Sequence, residues 1–195
     1  MKIKRSIGIA TFAFGSLAIV GSAVASPSLQ ETQHSLEVAD LTPAITQLAA
    51  GQATVPDWLV ESGVDPESIR NVGTSEFGEH WIASDPDGNI CIATQLGEES
   101  QDNWIGSVGC TSPMAFYEHG AAVSLNGEGF DGTAAYMLPP DIDSSTLTSS
   151  KDVQILADTP QVIAVSSIDQ SAALRDIEIP RADGTAVQLP ELDTE

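Results

Sequence analysis

The sequence predicts an α+β domain, mostly antiparallel β-sheet with short N-terminal helices and one short helix after a disulfide hairpin. Three observations carry this. From Phe77 to Leu138 apolar residues recur with period two, the runs of strands are flanked by a few short helices, and the connections are too short for repeated crossover helices.

The first elements are helical. Thr42-Pro43 opens a segment with Ile45, Leu48 and Ala49 on one face, closed by Gly51; Pro56 opens Asp57 to Glu61, closed by Gly63; Asp65-Pro66 begins a third short piece containing Ile69. Proline at the start and glycine past the end are the expected punctuation of a helix.

Strands are expected at 79–84, 89–96, 104–110, 121–125 and 133–138. Asp85-Pro86-Asp87-Gly88 has the composition of a hairpin turn. If Cys91 lies opposite Cys110, then Ile92 faces Gly109, Ala93 faces Val108, Thr94 faces Ser107 and Leu96 faces Ile105. Apolar positions then match on both faces, and the tip from Gly97 to Asn103 is polar. A helix follows, with Ser112 as cap, Pro113 as first residue and Gly120 as stop. Pro139-Pro140 ends the last of these strands, and a polar connection runs from Asp141 to Ser150.

From Val153 the tail is β-rich again. A three-residue loop, Ala182-Asp183-Gly184, sets Ile179 opposite Val187 and Ile177 opposite Leu189, which makes one face apolar. Residues 41–195 are read as a single domain, with 151–195 as a small β subunit of it.

The chain's start has the three parts of a secretory signal peptide. Lys2, Lys4 and Arg5 are basic, Ile7 to Val20 is uncharged and mostly apolar, and Ala23 and Ala25 are the small residues before a cleavage between Ala25 and Ser26. Residues 1–25 are then leader and 26–40 a flexible tether. The alternative is a membrane anchor retained over residues 7–25, since a span needs about 20 apolar residues. Export would place Cys91 and Cys110 in an oxidising compartment, where they pair.

Charge bounds the partners. The chain has 7 basic and 28 acidic side chains, a net −21. Loss of residues 1–25 removes three basic groups and no acid, leaving 4 against 28, or −24. Such a body repels phosphate backbones and anionic membrane surfaces and favours divalent cations or basic peptides. It is also expected to stay soluble and monomeric.

No catalytic, cofactor-binding or metal-ligating residue is assigned. His80 and His119 each follow a glutamate but lack helical ligand spacing. Asp85, Asp87 and Asn89 have the first spacings of a calcium loop, yet Ile90 and Leu96 stand where it needs glycine and a bidentate acid. Ser107 lies between glycines at the wrong spacing for a nucleophile elbow. Trp81, Trp104, Phe116, Phe130 and Tyr136 read as core. The reading is a secreted, non-catalytic acidic domain with a binding or accessory role. The competing one is a cell-envelope hydrolase using scattered acids or His80 with His119.

Several stretches carry a family resemblance. They are Gly63 to Arg70, the strand bearing Trp81, Asp87-Gly88-Asn89-Ile90-Cys91-Ile92, the Phe116 helix ending at Gly120, and Leu138-Pro139-Pro140-Asp141. Over about residues 55–142 the chain resembles uncharacterised secreted or membrane-attached proteins of high-GC Gram-positive bacteria. The resemblance implies a single disulfide and an extracellular setting, and no activity.

Overall fold

The computed structural model describes residues 55–98, 103–127, 130–142, 152–156, 161–166, 179–190 and 192. The leader, the cleavage position Ala25/Ser26, the tether, the helix expected after Thr42, Ile177 and most of the Asp141–Ser150 connection lie outside the described residues.

Helix α1 is Asp57–Glu61 and helix α2 is Pro113–His119. The strands are β1 (Arg70–Ser75), β2 (Gly78–Ser84), β3 (Ile90–Glu98), β4 (Asn103–Thr111), β5 (Ala121–Gly127), β6 (Phe130–Met137), β7 (Val153–Ile155), β8 (Val162–Val165), β9 (Ile179–Pro180) and β10 (Ala186–Val187). They form two four-stranded antiparallel sheets, ordered β1-β2-β3-β4 and β5-β6-β8-β7, and the small pair β9-β10.

The alternation of side chains along each strand explains how the sheets stack. From the first sheet Ile82, Ile90 and Ile92 meet Val123, Ala135, Met137 and Val162 of the second, with Phe116 of α2 in the same cluster. The opposite face of β2 and β3 carries Trp81, Ala83, Cys91 and Ala93, which pack under Trp58, Leu59, Val64 and Ile69 from the α1 region. The far face of the second sheet, with Ala134, Tyr136 and Ile163, is covered by Ile179, Leu189 and Leu192 of the tail. Each sheet therefore has apolar cover on both faces. That is why β8 reads as an unbroken apolar run, Val-Ile-Ala-Val, with all four residues buried.

Both hairpin registers expected from the sequence are present. Cys91 pairs with Cys110, Thr94 with Ser107 and Leu96 with Ile105, and Val187 pairs with Ile179. Helix α2 starts and stops where its caps place it, with Ser112 Oγ accepting the Ala115 N–H at 3.4 Å and Gly120 at φ 78°.

One element differs. The expected third helical piece is a turn followed by β1. Asp65 Oδ1 accepts the Glu67 N–H, and the Asp65 carbonyl accepts both the N–H and the hydroxyl of Ser68. Ser68 Oγ in turn accepts the Ser84 N–H. These bonds stop the helix after one turn and hand the chain to the sheet.

Candidate functional site

The two histidines singled out in the sequence sit in opposite environments. His80 shares the inner face of β2 with Ile82 and is fully buried. Its Nε2 is 2.8 Å from Ser75 Oγ and its Nδ1 is 3.0 Å from Thr94 Oγ1. Ser75 Oγ also accepts the Phe77 N–H at 3.0 Å. The arrangement joins β1, β2 and β3 through one imidazole and two hydroxyls. Burial lowers the His80 pKa from 6.5 to about 4, because the charged ring would lose its hydration. At neutral pH the ring is uncharged, so one nitrogen donates and the other accepts, and a hydroxyl serves either role. As a proton acceptor it is weak and enclosed.

His119 is exposed at the end of α2, with its Nε2 3.7 Å from its neighbour Glu118. The two histidines share no hydrogen-bond or ion-pair partner among the described residues. The structure does not assemble from them the base, acid and orienting group that a hydrolase requires.

The Asp85–Asn89 turn is held by its own first residue. Asp85 Oδ1 accepts the N–H groups of Asp87 and Asn89, both at 2.9 Å, and Oδ2 accepts Asn89 Nδ2 at 2.7 Å. Gly88 has φ 79°, the left-handed conformation the turn demands. The carboxylate that would lead a calcium loop is occupied by the turn itself.

Cys91 and Cys110 are joined, with an S–S distance of 2.08 Å. A formed disulfide belongs to an oxidising environment. Among the described residues, the group of His, Cys, Asp and Glu side chains with ligand atoms within 4.8 Å of one another is Asp85, Cys91 and Cys110. Its sulfurs are spent on each other. Ser107 is a strand residue opposite Thr94.

Of the aromatic residues, Trp81, Phe116 and Tyr136 are buried, while Trp104 is half-buried; the side chain of Phe130 lies outside the described residues. Trp58 organises the outer face. Its ring meets Trp81 edge-on at 6.3 Å and Trp104 at 5.9 Å, and its Nε1 donates to Gln95 Oε1 at 2.6 Å. Gly106 leaves the space this ring occupies, since a Cβ there would lie 2.7 Å from Trp58.

Three polar residues unmarked in the sequence matter here: Ser75, Thr94 and Arg181. The alternation Gly78-Glu79-His80-Trp81-Ile82 already set His80 on the face of Ile82. Nothing local signalled Arg181. Its Nη1 donates to both Asp141 oxygens at 2.8 and 2.7 Å, and Nη2 donates to the carbonyls of Tyr117 and Glu118.

No helix among the described residues is long and apolar enough to cross a membrane. No protein-family model, curated protein or solved structure matches the chain.

Proposed function

We propose that this is a secreted, non-catalytic binding domain that presents a rigid acidic surface to cationic partners. The observation carrying the proposal is the disposition of charge. Arg70 and Arg181 are the arginines among the described residues, which include no lysine, and both are engaged by the protein. Arg181 is buried on Asp141, and Arg70 donates to the carbonyls of Glu67 and Ile69. Acidic side chains such as Asp57, Glu61, Glu67, Glu76, Asp87 and Glu118 meet solvent. The net −24 left once residues 1–25 are removed (4 basic against 28 acidic groups) attracts cations and repels polyanions.

Export is the finer part of the proposal. The basic start, apolar centre and small-residue site before Ser26 support it, and so does a disulfide that forms in oxidising compartments. Kinship with the uncharacterised secreted proteins of high-GC Gram-positive bacteria belongs to the same proposal and rests on residues 55–142.

The test is a pair of titrations of the purified protein at physiological ionic strength, one with a lysine-rich peptide and one with heparin or DNA. The expected result is salt-sensitive binding of the peptide and none of the polyanion. Binding of the polyanion, or indifference to the peptide, would sink the proposal. Mass spectrometry of protein from the medium checks export, with Ser26 expected as the first residue.

A further inference from the structure

The β2–β3 turn and the disulfide meet in space. Cys91 is the second residue of β3, so the return of the hairpin brings Asp85 beside the sulfurs. A carboxylate oxygen of Asp85 and both Sγ atoms lie within 4.8 Å of one another. The carboxylate cannot swing away, because the Asp87 and Asn89 N–H groups and Asn89 Nδ2 hold it. The Asn89 carbonyl oxygen stands 3.9 Å from Cys91 Sγ. Cys91 is fully buried and Cys110 half-buried. The arginines of the described residues are committed elsewhere, to Asp141 and to the carbonyls near Arg70.

We infer that Asp85 shields the Cys91–Cys110 disulfide from thiol reductants, making the bond a protected staple and not an exchangeable one. Reduction takes two steps. A thiolate RS⁻ attacks the more accessible sulfur, that of Cys110, forming an RS–S bond to it and expelling Cys91 as thiolate. A second RS⁻ then attacks the mixed disulfide at the reductant's sulfur, giving RSSR and releasing the Cys110 thiolate. Each protein thiolate takes a proton from water, so two thiols are oxidised as one disulfide is reduced. The rate depends on how well the first leaving thiolate is tolerated. Redox-active cysteines have a positive charge or a helix N-terminus beside the sulfur. Here the emerging Cys91 thiolate meets burial, a carbonyl oxygen and a fixed carboxylate. The same carboxylate repels the incoming thiolate.

The experiment follows reduction of the folded protein by 2-mercaptoethanol in the wild type, Asp85→Asn and Asp87→Asn. In Asp85→Asn the new amide keeps an oxygen for the two backbone N–H groups, and the Asp87 substitution removes an equal charge from the exposed side of the same turn. Asp85→Asn is expected to react about tenfold faster, with the rate still proportional to thiol concentration, and Asp87→Asn within about twofold of wild type. A second measurement needs no variant to fold well. On the wild type, cationic cysteamine should outpace anionic 2-mercaptoethanesulfonate at equal thiolate concentration. Equal rates for Asp85→Asn and wild type, equal acceleration by both substitutions, a rate that saturates with thiol, or indifference to the charge of the thiol would each overturn the inference.

Discussion

His80 is a base buried where its protonated form has no hydration. Its pKa is about 4 in the fold against 6.5 in an open chain, so as pH falls the unfolded chain takes up the proton first. The stability this confers is complete above about pH 6.5, declines through the window down to pH 4, and is gone below it. The whole loss across that window is about 3 kcal/mol, the burial penalty on the charged ring. Replacing His80 with Gln removes the titration, so the gap in urea midpoint between wild type and His80→Gln should shrink as pH drops from about 7 to about 4.5. A gap that stays constant would show that the ring keeps its proton affinity when folded. The placement of this residue was only half legible. Strand alternation set His80 with Ile82, but its burial needs the second sheet laid over the first, and no local spacing encodes that. Ser75 and Thr94 carried no mark of their role, since a hydroxyl looks the same in a sequence whether it faces water or an imidazole.

Elements were legible where a pattern is local. The β3–β4 and β9–β10 pairings follow from matching apolar positions across a turn, because a slip of one residue would turn every side chain to the other face. β1 was hidden for the same reason. Arg-Asn-Val-Gly-Thr-Ser offers one large apolar residue, Val72, and the register breaks between Asn71 and Gly73, so no alternation survives to be read. The meeting of the two sheets was equally hidden. A Cβ on Gly109 would fall inside the contact distance of the Ala122 carbonyl oxygen, so β4 lies against β5 only because that position has no side chain. The backbone there is neither a turn nor a cap, and glycine in a strand otherwise reads as a weakness. Gly109→Ala is therefore expected to cost about 2 kcal/mol by forcing backbone apart, measured as a loss in urea midpoint with the disulfide intact. A loss below about 0.5 kcal/mol would mean that the sheets can shift apart freely.

At the scale of the molecule, the tail has to be held on a body that is strongly negative. Its apolar contribution is small, with Ile179, Val187, Leu189 and Leu192 buried and three of them, Ile179, Leu189 and Leu192, packed against the second sheet. Arg181 supplies the rest. Its side chain is 6% exposed; it binds Asp141, reaches the carbonyls ending α2, and lies over the Tyr117 ring at 4.5 Å. One side chain thus fastens tail, helix and the turn after β6. Its 40-residue separation from Asp141 is what kept it illegible. Breaking this pair costs less than the roughly 3–5 kcal/mol of a fully buried one when the arginine is removed, because the Asp141 side chain is 30% exposed and water takes up its charge. Arg181→Met retains much of the packing volume but removes the ion pair, the bonds to two carbonyls and the Tyr117 ring contact together. Asp141→Asn strands the arginine instead, but two carbonyls still accept from it. The first substitution should therefore destabilise more than the second. It should also release the 179–190 segment before the rest, exposing Tyr136 and Ile163. Limited proteolysis with backbone hydrogen exchange resolves this. Early cleavage and exchange in 179–190, with β2 and β3 still protected, is the expected pattern; simultaneous loss of protection across both sheets would mean that the tail and sandwich form one cooperative unit with no separable latch.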